Sequence, residues 1–159
     1  MIVAGTGHRP KFLPCLYNEN HPWLLELKGK TKNTLELLKV ENVITGCALG
    51  WDTWLAEVAM ELGIKVHCYV PFRGQGGNWP ASSKARLDKI IENCHVLLYL
   101  SKDYTKDCFL KRDRAMVEDA DLMLALWNPE ITSGGTYYTV QYAKKQGKKV
   151  FNLWNSSYV

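Results

Sequence analysis

Short apolar runs alternate along the chain with longer segments whose apolar positions recur at helical spacing. Residues 2–4 read as a buried strand that leads into GTGHRP, a glycine-rich turn. Residues 11–23, with three prolines counting Pro10, read as a loop, and a helix is predicted from about 22 to 39 with Leu24, Leu27, Leu35 and Leu38 on its apolar side. Asn42–Thr45 is a second strand, residues 46–50 a tight turn, and residues 52–62 a helix with Trp54, Leu55, Val58, Ala59 and Leu62 inward, closed by Gly63. Lys65–Val70 is a third strand that stops at Pro71. FRGQGGNWPASS follows as a flexible loop, with Ser82 and Ser83 as caps of a helix reaching about Glu92.

The second half repeats the alternation. Residues 96–100 form a strand, 106–118 a helix and 122–127 a strand, after which NPEITSGGT is a loop. Its glycines open a helix running to about Gln146, with Val140 and Ala143 inward and Gly147 at its end, and residues 149–153 complete the sheet. This order predicts an α/β fold: a single Rossmann-like three-layer domain over residues 1–159 with a mostly parallel central sheet. The chain shows no internal repeat, low-complexity tract or linker.

A length of 159 residues and 47% hydrophobic content suit one domain with a proper core, and the net charge of +4 fits an anionic small molecule as well as a nucleic acid. The five cysteines (Cys15, Cys47, Cys68, Cys94, Cys108) lack metal-ligand spacing. Most lie in apolar runs, as small core residues in a reducing compartment do, and no metal is expected. The N-terminus carries no signal-peptide pattern and no apolar run approaches a membrane span, so the expectation is a cytoplasmic protein with no membrane partner.

In an open α/β sheet, ligands settle beyond the carboxyl ends of the strands, near the point where strand order reverses. Glycines stand at those ends: Gly5 and Gly7 after the first strand, Gly46 and Gly50 after the second, Gly134 and Gly135 after the fifth. Glycine admits a ligand close to the backbone, and the helix that follows offers unpaired N–H groups to an anion. Thr6 and Thr136 add hydroxyls to the first and last of these loops, and Arg9 adds a planar fork suited to phosphate. Asp52 either holds ribose hydroxyls or simply favours the positive end of its own helix. His8 has an acid–base candidate's side chain without a visible carboxylate or nucleophile beside it, which points to a histidine that simply donates a hydrogen bond. Of the aromatic residues, Trp79 and Tyr137 lie in or beside loops and are the candidates for stacking on a base.

The motifs GTGHRP, ITGCALGWDTWLAEVA, VPFRGQGGNWP, KRDRAMVEDADLMLALWN and SGGTYYTVQYAKKQGKKV, in that order, resemble the YpsA-type branch of the SLOG superfamily over nearly the whole chain. Relatives in that superfamily include DprA-type DNA-processing proteins, LOG-type phosphoribohydrolases acting on nucleoside 5′-monophosphates, and sensor domains for NAD-derived signalling nucleotides. The resemblance implies a ligand held against the first strand and the Gly-Gly-Thr helix. It also selects Arg114, rather than Arg112, as the site arginine of the fourth motif; residues two apart on a helix do not share a face. Two positions depart from the pattern. Thr139 stands where the LOG-type signature has its glutamate, and Asp113 stands where the YpsA-type branch usually has asparagine.

The missing carboxylate removes the group that would stabilise an oxocarbenium-like centre or deliver water. The leading expectation is therefore a binding module for a phosphate-bearing nucleotide or an NAD- or ADP-ribose-derived molecule, acting as sensor, carrier or sequestering protein. It requires no cofactor, and a homodimer or an effector partner protein is compatible with it. The runner-up is a nucleoside 5′-monophosphate N-ribohydrolase or deoxyribosyl-transferring enzyme with a relocated carboxylate, for which Asp52, Glu57 and Glu118 are the catalytic candidates. DprA-like single-strand DNA binding ranks third, because the Lys and Arg residues are scattered instead of forming a basic groove, and a nucleic-acid partner is not expected.

Overall fold

A computed structural model describes residues 1–159. In chain order the elements are β1 (Ile2–Gly7), a 3-10 turn (Pro10–Phe12), α1 (Pro22–Leu37), β2 (Asn42–Thr45), α2 (Trp51–Glu61), β3 (Lys65–Val70), α3 (Ala81–Asn93), β4 (Val96–Tyr99), α4 (Cys108–Asp119), β5 (Leu122–Leu126), α5 (Gly134–Lys145), β6 (Lys149–Asn152) and β7 (Ser157–Tyr158). They make one seven-stranded sheet in the order β4-β3-β2-β1-β5-β6-β7. All strand pairs are parallel except β6 with β7, so the expected mostly parallel, doubly wound fold is what forms.

The sheet is hydrophobic on both faces and needs a helical layer on each. On one face Leu24, Leu35, Trp51, Leu55, Val58 and Leu87 of α1, α2 and α3 close over Val3, Val43 and Leu124. On the other, Met116 and Val117 of α4 and Val140 and Ala143 of α5 cover Ala4, Ile44 and Met123. Trp51 is fully buried and its indole Nε1 donates to the Leu124 carbonyl at 3.3 Å, which fixes α2 across the middle of the sheet. The cysteines are core residues as expected: all five thiols are free, and all but Cys94 are buried. Edge strand β4 leaves Val96, Leu97 and Leu98 uncovered. No helix is long and apolar enough to cross a membrane.

Several local expectations need correction. GTG is not a turn, because β1 continues through Gly7 in register with β5 as far as Leu126. Helix α1 starts where expected, with His21 Nδ1 accepting from the Trp23 amide at 3.1 Å to cap it. The segment before it is not all loop, since Pro10–Phe12 forms a 3-10 turn. Ser82 and Ser83 are not caps; Pro80 precedes α3 and no side chain caps it. Helix α4 begins at Cys108, two residues later than the pattern suggested.

Candidate functional site

Strand order reverses between β1 and β5: the chain leaves β1 outward through β2, β3 and β4, then crosses back to lay β5 on the other side of β1. The loops leaving these two strands part there, and a cavity of about 350 Å³ opens between them. Gly5, Thr6, Gly7, His8 and Arg9 line one wall, and Ser133, Gly134, Gly135 and Thr136 at the start of α5 line another. Asp52, Phe109, Arg112 and Asp113 close the floor.

The β5–α5 loop is tied down on both sides. Buried Asn152 accepts from the Trp127 amide at 3.0 Å and donates to the Trp127 carbonyl at 2.8 Å, while the Trp127 indole donates to the Ile131 carbonyl at 2.9 Å. His8 Nε2 accepts from the Asn128 amide at 3.0 Å, so its proton is on Nδ1 and the ring is neutral. Burial pushes the His8 pKa down, in agreement with that state. His8 therefore makes an ordinary hydrogen bond, but as acceptor and not as the donor the sequence suggested. Helix α5 then starts with Ser133 in extended conformation, no side-chain cap and no acidic residue in its first turn. Its first N–H groups have no partner within the helix and point toward the cavity end of the dipole.

The floor is a compact set of charges. Arg112 is buried; its Nε donates to Asp113 Oδ1 at 2.6 Å and its Nη1 donates to the Gly46 carbonyl. Asp52 is buried beside it and accepts through Oδ2 from the Ala48 amide at 3.1 Å, bracing the β2–α2 loop. Burial drives the Asp52 pKa up to about 6, partly offset by the facing Arg112 guanidinium. Asp52 stands in the first turn of α2, where a carboxylate favours the positive end of the helix, and it also lines the cavity. The floor holds one guanidinium against two carboxylates. The attraction for an anion thus sits at the other end, between exposed Arg9 and the start of α5.

The glycines divide into two kinds. A Cβ on Gly7 would lie 2.5 and 2.6 Å from Cγ and Cβ of Trp51, and one on Gly5 would meet Leu55 and lie 3.2 Å from Trp51 Nε1. These positions are glycine because α2 packs directly on β1. Gly46 is behind the floor, where a Cβ would lie 2.6 Å from Arg112 Nη1 and 2.8 Å from Asp52 Oδ2. Gly50, with φ +86°, is a backbone turn against His8 and Pro10. Gly134 and Gly135 line the cavity, and a Cβ at either meets nothing within 4 Å.

Five predicted residues do not line the cavity: Gly46 and Gly50, already placed, and Arg114, Tyr137 and Trp79. Arg114 is exposed on the outer face of α4, donating to the Tyr138 hydroxyl at 2.8 Å, so Arg112 and not Arg114 is the site arginine. Tyr137 packs against Trp127 with ring centroids 6.1 Å apart, outside the cavity. Trp79 lines a neighbouring cleft. Among the alternative carboxylates, Glu57 is bound to Arg86, and Glu118 accepts from the Tyr142 hydroxyl at 2.8 Å. Only Asp52 of the three faces the site. Thr139 is buried and its hydroxyl donates back to the Gly135 carbonyl at 2.9 Å. Arg112 carried a sequence signal: Cys108, Arg112 and Met116, four apart, form one helical stripe, and a charge inside an apolar stripe is a buried charge.

Comparison with known proteins agrees with this architecture. The model of the YspA SLOG family matches residues 3–155. A UPF0398 protein of Bacillus pumilus is 27% identical over 90% of this chain and 81% of its own length. The X-ray structure of DNA processing protein A (DprA) from Streptococcus pneumoniae superposes on 94% of this chain with a TM-score of 0.68 and 21% identity, and the chain spans 49% of that protein. DprA from Helicobacter pylori, described for its single-stranded DNA binding mode, gives a TM-score of 0.68 at 24% identity over 96% of this chain and 64% of its own. These superpositions show that the chain shares the fold of both proteins.

Proposed function

The chain belongs to the YspA SLOG family, and on that premise we propose that its switch-point cavity binds a phosphate-bearing nucleotide or an NAD- or ADP-ribose-derived small molecule. The observation that carries this reading is the uncapped, rigidly held start of α5 facing Arg9 across the cavity. The polarity of the site orients the ligand. The phosphate lies between Gly134, Gly135, Thr136 and Arg9, where N–H groups and a guanidinium meet, and ribose hydroxyls lie toward Asp52, which repels anions but accepts hydrogen bonds.

Thermal shift and calorimetry over matched nucleosides and nucleotides test this: nucleotides stabilise and nucleosides do not. An equal response to both removes the phosphate argument. Native mass spectrometry of protein purified from cells would identify a co-purifying nucleotide directly.

A second reading, hydrolysis of the N-glycosidic bond, is favoured by one observation: Asp52 is a buried carboxyl in the cavity with a pKa raised to about 6, the environment of a general acid or base. Chromatographic release of free base from nucleoside 5′-monophosphates, lost in Asp52→Asn, would establish it. The binding reading expects no release.

A further inference from the structure

A second cavity of about 350 Å³ adjoins the switch-point cavity and shares Arg9 and Phe109 with its lining. It is built from the β3–α3 loop and the approach to α4. Phe72, Tyr104 and Phe109 meet edge to face there, with centroids 5.6 Å apart for Phe72–Tyr104 and 6.2 Å for each ring with Phe109. Gly76 turns at φ +87°, and a Cβ there would lie 3.3 Å from the Trp79 ring, so the turn brings Trp79 to the same cleft. Tyr104 is 63% exposed, Phe72 and Phe109 are half-buried, and Trp79 is half-buried against the edge of the core.

Hydrogen bonds that meet behind the end of β2 join the walls of the two cavities. The Gly46 carbonyl accepts from Arg112 Nη1 on one side and from Gln75 Nε2 at 3.5 Å on the other, and Gln75 Nε2 also donates to the Cys47 carbonyl at 2.8 Å. Gln75 thereby pins the glycine-rich loop to the end of β2. With its amide nitrogen so used, the Gln75 side-chain oxygen is left as a hydrogen-bond acceptor on the cleft wall. An aromatic cleft with a polar edge, opening beside the proposed anion site, matches one flat heteroaromatic ring joined to a phosphate through a sugar.

We infer that the Phe72–Tyr104–Phe109–Trp79 cleft is a nucleobase subsite, so that the ligand is a nucleotide lying across both cavities with Arg9 between its base and its phosphate. This rests on the reading of the first cavity as a phosphate site. A single nucleotide fits better than a strand. The only arginines lining the two cavities are Arg9 and Arg112, no lysine lines either, and Arg112 is already held by Asp113 and Gly46; a strand needs a succession of cations along its backbone.

The test is calorimetry on the full chain with AMP, GMP, CMP and UMP against ribose 5-phosphate, in the wild type, Tyr104→Ala and Tyr104→Phe. At least one nucleotide binds roughly tenfold or more tighter than ribose 5-phosphate. Tyr104→Ala lowers that affinity roughly tenfold while leaving ribose 5-phosphate alone, and Tyr104→Phe, which keeps the ring, stays near wild type. Ribose 5-phosphate binding as tightly as every nucleotide, with Tyr104→Ala silent, overturns the base subsite and leaves the phosphate site standing. A thymidine oligonucleotide binding far more tightly than any mononucleotide, and losing affinity in Tyr104→Ala, replaces the proposal with a strand-binding cleft. No binding of nucleotide or sugar phosphate removes both readings together.

Discussion

The glycine pairs at the ends of β1 and at the start of α5 read alike in the sequence and do opposite things in the fold. Gly5 and Gly7 have no room for a side chain, because Trp51 and Leu55 of α2 occupy the space. Gly134 and Gly135 face open cavity, and nothing lies within 4 Å of a Cβ at either. The first pair is glycine so that a helix can lie on a strand. In the second pair Gly134 meets the backbone's demand for φ +85°, and Gly135 leaves open the space that the proposed anion cradle needs. A glycine-rich strand end therefore marks close approach without saying whether the approaching body is the protein's own helix or a ligand.

The largest effects belong to the packed pair. Trp51→Ala, which empties the space over β1, is expected to cost about 3–5 kcal/mol, and Gly7→Ala about 1–3 kcal/mol by overpacking, both measured by urea unfolding. The double variant should lose clearly less than the sum, because removing the indole makes room for the new methyl. Strict additivity would break the claim that Gly7 exists to admit Trp51.

Next is Asp52, which links the two regions by lining the cavity at the first turn of α2. Its carboxyl is ionised in the unfolded chain above about pH 4, but in the fold, facing Arg112, Asp113 and Arg9, only above about 6. Below both values it is protonated in either state and costs nothing. Above both it is charged in either state and the fold bears the full burial cost. Stability contributed by this group therefore falls as pH rises from about 4 to about 6, by on the order of 2–3 kcal/mol. Asp52→Asn should flatten that part of the stability profile, and an unchanged profile would show that the carboxyl is better solvated than its burial implies.

The open pair should respond in binding instead of folding. Gly135→Asp places like charge in the phosphate's position and is expected to weaken nucleotide binding at least roughly tenfold, with the ligand-free melting temperature near wild type. Gly135→Ala should fold with stability within about 0.5 kcal/mol of wild type, whereas Gly134→Ala, forced to a positive φ, should lose about 1 kcal/mol. A large loss of stability at Gly135 would make it another packing glycine and erase the contrast. The smallest effect expected is Thr136→Val, about 1 kcal/mol of binding through one lost hydroxyl bond, read by calorimetry.

The sequence by itself determined the six parallel strands, their alternation with helices and the loops that line the cavity, but not the short antiparallel β7. These follow from signals carried by adjacent residues: apolar period, helix-opening glycines, and strand ends that gather on one side of a parallel sheet. His8, Arg9, Asp52 and Gly134–Thr136 were found this way. Only the tertiary structure decided which arginine of α4 enters the cavity, which glycines are filled, and that Phe72, Tyr104 and Phe109 come together from two separate segments. The reason is physical. A side chain's local pattern fixes the direction in which it points, but the space it points into is made by residues distant in sequence. Trp51 closes over Gly7 because α2 lies back across β1, and Asp52 stands against Arg112 because the crossover from β4 to β5 carries α4 to the face opposite α2; no local window of the chain holds both members of either pair.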